Sequence, residues 1–263
     1  MRCSRRDVLS ALGLVAASSV VERTVFAAEP PKLGLIFPPK DRGVPAEGLA
    51  MYGSDVEFLV EGLGLETMTP EGYDSVIDRI PPAAQSLAER GADAIVLMGT
   101  SLSFYKGEEF NQRITESVRE AAGLPAVTMS TAVIEGLKEV GGRHVVAATA
   151  YNDEVNGRLR AFLAEHGFDV RHVEGLGLEA IGSPSLVNLE YLIDFSADVY
   201  ADAPDSDAIL VSCGGFRTLE LLAPLEQRCG VPAVSSTPHA LMAGARLLGL
   251  TGAVAGYGTL LNG

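Results

Sequence analysis

The sequence predicts an α/β fold of two pseudo-symmetric Rossmann-like lobes, each a short parallel sheet flanked by helices, with the active cleft between them. Short apolar β-type runs alternate with helical patterns, the arrangement of parallel strands with helices on both faces. The two halves also look like one unit repeated. Gly62-Leu-Gly-Leu-Glu66 recurs as Gly175-Leu-Gly-Leu-Glu179, Thr69-Pro70 as Ser183-Pro184, and Asp93-Ala-Ile95 as Asp207-Ala-Ile209. These pairs are offset by 113 or 114 residues, so they share one register. In that register Gly99 is the counterpart of Cys213.

In the first half, Leu33-Gly-Leu-Ile-Phe37 reads as a strand ended by Pro38-Pro39. Thr69-Pro70-Glu71 opens a helix, with Thr as cap and Pro in the first turn. Ala94 to Met98 reads as a buried strand, and Ala126 to Met129 as another after Gly123-Leu-Pro125. The second half repeats the plan: a strand over Val145 to Thr149, a helix opened by Ser183-Pro184, a strand over Ala208 to Val211, and Gly230-Val-Pro232 leading into Ala233-Val234. Each half ends in an amphipathic helix, Thr131 to Val140 and Pro238 to Leu248. The second of these is expected to return to the first lobe, giving lobe 1 as residues 29–135 plus 237–263 and lobe 2 as 136–236.

Residues 1–28 are set apart from the fold. Ser4-Arg5-Arg6-Asp7-Val8-Leu9 is a twin-arginine pattern, Val8 to Val21 is a short apolar core, and Val25-Phe-Ala-Ala28 offers small residues for cleavage. The apolar run is too short to span a bilayer. The expectation is export through the twin-arginine route to a periplasm-like compartment.

The chain has 20 Lys and Arg against 34 Asp and Glu, a net charge of −14. That balance argues against nucleic acid or an anionic membrane as partner, since both need basic patches. It does not exclude a small anionic substrate, because a few local donors outweigh distant screened charge. Oligomeric state is not legible. With Cys3 in the leader, Cys213 and Cys229 remain, one at a strand end and one at a helix end, and no disulfide is expected between them.

No cofactor and no metal are expected. The chain lacks a phosphate loop, and Gly175 to Ala180 meets the loose G-x-G-x-x-A spacing without the strand-to-helix setting that spacing needs. His144, His166, His172 and His239 are scattered, with no paired ligand spacing. A serine hydrolase is disfavoured because no G-x-S-x-G elbow is present. Ligands of open parallel sheets bind beyond the carboxyl ends of the strands. That rule gathers Pro38-Pro39, Gly99-Thr100-Ser101, Tyr151, Cys213-Gly214-Gly215 and Ser235-Ser236-Thr237 around one cleft, with no charged residue among them. Small residues and free amides there suit a carboxylate.

These residues also carry a resemblance. Gly62-Leu-Gly-Leu65, Thr69-Pro-Glu-Gly-Tyr-Asp74, Leu97-Met-Gly-Thr-Ser-Leu-Ser-Phe-Tyr105, Met129-Ser-Thr-Ala132, Ala148-Thr-Ala-Tyr151 and Ser212-Cys-Gly-Gly215 closely resemble the arylmalonate decarboxylase family, in the aspartate/glutamate racemase superfamily. The resemblance covers essentially the whole chain after the leader. It implies a dioxyanion hole for the substrate carboxylate from Thr100, Ser101, Tyr151 and the Cys213-Gly214 backbone, and a proton donor in Cys213. It also implies an apolar pocket from Pro38, Leu65, Met68, Met98, Leu102 and Ile181, with Pro184 beside it. Met68, Ile181 and Pro184 depart from the family's pattern, and the leader is a further departure.

The implied reaction is cofactor-free decarboxylation of arylmalonate-like disubstituted malonates to chiral monoacids, through an enediolate protonated by a cysteine. A racemase or maleate-type isomerase of the same superfamily is the enzyme rival, disfavoured because Gly99 stands where a second cysteine would be. An exported solute-binding protein would use the same cleft without needing Cys213.

Overall fold

The computed structural model describes residues 29–262, and the expected leader lies outside the described residues. Eight strands form two four-stranded parallel sheets. The first contains β1 (Lys32–Phe37), β2 (Glu57–Gly62), β3 (Ala94–Leu97) and β4 (Ala126–Thr128), in the order β2-β1-β3-β4. The second contains β5 (His144–Thr149), β6 (Asp169–Gly175), β7 (Ala208–Ser212) and β8 (Ala233–Ser235), in the matching order β6-β5-β7-β8. The α/β class and the two-lobed plan are therefore as the repeat predicts.

The repeat has a physical basis at the base of each sheet. The Asp93 carboxylate accepts the Lys32 amide at 2.8 Å, and Asp207 accepts the Arg143 and His144 amides at 2.7 and 2.9 Å. Each acid ties the start of its lobe's third strand to the start of the first, setting the parallel register Leu33↔Ala94 and Val145↔Ala208. At the opposite end, Gly62 and Gly175 close the edge strands. A Cβ on either would lie 2.1 Å from a backbone oxygen, that of Lys40 or Tyr151. Two residues on, Gly64 and Gly177 turn the chain with φ of 78° and 64°, which side-chain-bearing residues rarely adopt. This explains why the sequence repeats Gly-Leu-Gly.

Several boundaries differ from the sequence expectation. β3 and β4 stop at Leu97 and Thr128, and Met129 already belongs to α6 (Met129–Glu139), because Thr128 Oγ1 accepts the Thr131 amide and caps the helix. Thr69 opens only α2 (Pro70–Asp74), and after a 3-10 turn the chain restarts as α3 (Ile80–Glu89) on Pro81 and Pro82. Likewise Ser183-Pro184 opens a single 3-10 turn. The full helix α8 (Leu189–Ala201) begins after Asn188, whose Oδ1 accepts the Glu190 amide at 2.8 Å.

The remaining helices are α1 (Ala46–Tyr52), α4 (Thr100–Phe104), α5 (Glu108–Ala122), α7 (Asp153–Glu165), α9 (Leu219–Cys229) and α10 (Ser236–Leu247). α10 packs on α6 and crosses to β3 and β4 of the first sheet. Gly244 allows that approach: a Cβ there would lie 2.7 Å from Leu33 and from Val96. The crossing brings the start of α10 against the start of α4.

These contacts separate two kinds of glycine. Gly175→Ala should cost at least about 3 kcal/mol, because backbone must move, and lower Tm by roughly 6–12 °C. Gly157→Ala, exposed within α7 with open space around its Cα, should instead gain about 0.5–1 kcal/mol. Thermal melts of the two variants check the difference, and equal effects would contradict the close approach at Gly175.

Candidate active site

The site grows from the carboxyl ends of β3 and β7. Beyond them lie Met98-Gly99-Thr100-Ser101 and Cys213-Gly214-Gly215, and these segments border one inner cavity of about 30 Å³. Pro38, Leu65, Met68 and Ile181 complete its apolar wall. That volume has room for about two water molecules. At its neck the cavity meets an outer one of about 900 Å³, and Pro39, Arg42, Ile181 and Gly215 border both.

Gly99 is extended, with φ of −148°, so its backbone alone does not demand glycine. Space does. A Cβ would lie 2.9 Å from Pro38 Cγ and 3.1 Å from Leu102 Cβ. On the other side, a Cβ at Gly214 would press on Met129 Sδ at 3.2 Å, and one at Gly215 on Pro184 Cβ at 2.9 Å. The loop after Cys213 is thereby clamped between Met129 and Pro184.

The polar side of the cavity is held by a buried hydroxyl network. Thr100 Oγ1 donates to Ser236 Oγ at 2.8 Å, joining α4 to α10. Ser103 Oγ donates to the Gly99 carbonyl at 2.9 Å, and Ser130 Oγ donates to the Thr100 carbonyl at 2.8 Å. No side chain caps α4, so its first amides are left for another acceptor. Thr237 Oγ1 donates to the Gly214 carbonyl at 3.3 Å. Two tyrosines stand behind. The Tyr151 hydroxyl is 3.2 Å from Ser212 Oγ and faces Thr100. The Tyr73 hydroxyl is buried, turned toward Ser101, and lacks a hydrogen bond of regular geometry. Burial pushes both phenols well above their ordinary range, so both remain neutral donors.

Cys213 is the thiol that borders this cavity. It is 4% exposed, and its Sγ accepts the Gly215 amide at 3.4 Å. Burial pushes the thiol up to about 11, opposed by the Gly215 amide and the nearby Arg42 guanidinium. A thiol so placed is protonated at neutral pH and acts as an acid, not as a nucleophile. Cys229 lies at the end of α9, away from the cavity lining, and both cysteines are free.

The family model for arylmalonate decarboxylase matches residues 33–261 of this chain. The chain belongs to the arylmalonate decarboxylase family. It is 46% identical over 237 residues to the arylmalonate decarboxylase of Bordetella bronchiseptica, covering 89% of this chain and 98% of that protein. Among solved structures, a double variant of arylmalonate decarboxylase, glycine to cysteine and cysteine to serine, in its liganded form superposes with a TM-score of 0.86. It is 45% identical and covers 88% of this chain and 99% of its own. A maleate cis-trans isomerase of Nocardia farcinica, 21% identical with a TM-score of 0.81 over 88% of this chain and 97% of its own, shares the fold.

The expected site residues fall into two shells. Thr100, Ser101, Cys213, Gly214, Pro38, Leu65, Met68, Met98 and Ile181 border the inner cavity. Tyr151 and Leu102 are buried behind this wall and do not line it. Leu102 is instead, with Pro38, what a side chain at position 99 would strike. The expectation of a cleft without charge is corrected by Arg42, which follows Pro38-Pro39 in a loop and folds back over the Phe37 ring at 5.1 Å. Tyr73 was visible only as a member of the Thr-Pro-Glu-Gly-Tyr-Asp motif, and an aromatic residue in a short helix otherwise reads as core. Among the described residues, one group of metal-capable side chains occurs, His172, Glu174 and Asp202, on the half-exposed edge of the second sheet and remote from the cavity lining.

Because the thiol is the acid form, its high pKa keeps it active toward alkaline pH. Activity that depends on this proton should fall only as pH rises through about 11. Iodoacetamide should alkylate Cys213 at a rate that climbs steadily from neutral pH toward that value, since about one thiol in ten thousand is ionised at pH 7. Mass-spectrometric labelling checks this, and a labelling rate that levels off below pH 9 would contradict the buried neutral thiol.

Proposed function

We propose that the protein is a cofactor-independent carboxy-lyase that decarboxylates arylmalonate-like disubstituted malonates to chiral monoacids. The observation that carries this reading is that Cys213 and Gly99, counterparts in the repeat, border the same small cavity, so the thiol faces a position with no side chain. The sequence identity with the Bordetella bronchiseptica enzyme supports the same chemistry.

One substrate carboxylate is retained. Its oxygens accept from Ser101 and from the free amides of the α4 turn and the Cys213-Gly214 segment; the Thr100 hydroxyl, which otherwise donates to Ser236, and the tyrosine hydroxyls behind the wall turn toward it as charge develops. The other carboxylate sits against Pro38, Leu65, Met68 and Met98, where water that would stabilise its charge is excluded. The bond from the central carbon to that carboxylate breaks and CO2 leaves. The electron pair remains on the central carbon and spreads into the retained carboxylate as an enediolate, and further into an aryl or vinyl substituent. Preformed donors stabilise this dianion in a dry site, by roughly 3–4 kcal/mol per donor in comparable enzymes. The Cys213 thiol then gives its proton to the planar carbon, and the thiolate recovers one from water.

Since that proton arrives from one face, one enantiomer results. Racemisation or isomerisation of the superfamily type calls on a second thiol, and residue 99 supplies none.

The direct test is CO2 release from phenylmalonate or methylphenylmalonate with no metal or cofactor added. Binding without turnover would favour a solute-binding protein instead. Cys213→Ala should lower kcat by about 10²–10⁴ while the melting curve and dicarboxylate binding change little. Thr100→Ala, Ser101→Ala and Tyr151→Phe should each lower kcat more than they raise KM, by up to about 10²-fold. A wild-type rate in Cys213→Ala would remove the thiol from the mechanism, and an effect on KM alone would reduce the hydroxyls to ground-state binding.

Export through the twin-arginine route is part of the same proposal, supported by the Arg5-Arg6 pattern, the apolar core and the small residues before Ala28. Residues 1–28 fused to a reporter exported only when folded should carry it out of the cytoplasm. Arg5→Lys with Arg6→Lys should block this. Retention of the unmodified fusion would refute the leader.

A further inference from the structure

The neck between the two cavities decides what kind of substituent the site accepts. The inner cavity, at about 30 Å³, is where the thiol, the amides and the hydroxyls converge, and it is far smaller than the outer cavity it adjoins. A large substituent on the malonate's central carbon therefore extends through the neck into the outer cavity of about 900 Å³.

Arg42 stands at that neck. Its guanidinium is partly buried, rests on the Phe37 ring at 5.1 Å, and forms no hydrogen bond or ion pair with any described residue. Arg217 lines the outer cavity as well. The acids facing this space are Asp41, Glu47 and Glu220. Glu47 is buried, and its Oε1 accepts the Thr218 and Leu219 amides at 2.8 and 2.9 Å at the start of α9; its charge attracts Arg42 without forming an ion pair with it. Asp41 and Glu220 are at the exposed rim, where solvent screens them. A partly desolvated cation with no ion pair gains when an anion reaches it. The malonate carboxylates do not fill that need. One is held by the hydroxyls and amides, and a cation on the departing one would stabilise the ground state and oppose its loss.

We propose that Arg42, aided by Arg217, binds an anionic group at the far end of the substrate's larger substituent. The preferred substrates are then malonates whose aryl-type substituent itself carries a carboxylate or similar anion. Arg42 is in this role a specificity residue. A bidentate guanidinium–carboxylate pair at a partly desolvated neck discriminates strongly against substrates lacking the second anion.

This rests on the decarboxylase reading, and one experiment tests both separately. CO2 release is measured for phenylmalonate and para-carboxyphenylmalonate with wild type, Arg42→Gln and Arg217→Gln. Wild type should favour the carboxylated substrate by about tenfold or more in kcat/KM, chiefly through a lower KM, and added salt should shrink that preference. Arg42→Gln should bring the ratio to about one, and Arg217→Gln should reduce it less. Turnover of phenylmalonate with no wild-type preference for the carboxylated analogue overturns the proposal alone. So does an Arg42→Gln variant, folded by its melting curve, that slows both substrates equally. If neither substrate releases CO2, the decarboxylase reading itself falls.

Discussion

The close contact between α10 and the first sheet sets the geometry of the whole site. Gly244 lets α10 lie directly on Leu33 and Val96, although the helix follows the last strand of the second sheet. Its first residues are thereby carried across the molecule, where Ser236 meets Thr100 and Thr237 meets the Gly214 carbonyl. The loops after β3 and β7 thus come to share buried hydrogen bonds around one cavity. A bulkier residue at 244 would lift the helix and part these loops, even though it lies far from the chemistry in sequence.

Much of this was legible from the chain, and the repeat explains why. Asp93 and Asp207 recur because each accepts amides at the start of a sheet, and the Gly-Leu-Gly pairs recur because backbone oxygens lie where a β-carbon would be. Where the same physical demand appears twice, the sequence shows it twice. Cys213 stood out for the opposite reason, as a position where the two halves disagree. The central strands were readable because they are buried on both faces, which produces continuous apolar runs.

What escaped reading was set by tertiary placement. β2 and β6 are half-exposed edge strands, Glu57-Phe-Leu-Val-Glu-Gly62 and Asp169-Val-Arg-His-Val-Glu-Gly175, whose mixed composition resembles a loop. The Thr69 signal did open a helix, the short α2, whereas Ser183-Pro184 opens only a 3-10 turn, and prolines and Asn188 start the longer helices further on. Arg42 sits in a loop between Pro39 and Pro45, and nothing local says that it folds inward over Phe37. Tyr73 likewise has an ordinary aromatic environment until its hydroxyl is seen to face Ser101.

In the proposed mechanism, the burial of Cys213 also governs how the protein returns to its starting state. Each decarboxylation consumes one proton, so a thiol that has given its own must be refilled before the next cycle. A group whose pKa has been pushed up to about 11 is a weak acid, yet its conjugate base is correspondingly strong. An enediolate is basic enough to take the proton regardless, while the thiolate left behind draws a replacement from any water that enters through the neck. The same desolvation that slows giving thus hastens recovery, and it keeps the reactive anion from persisting between turnovers, when an electrophile could trap it.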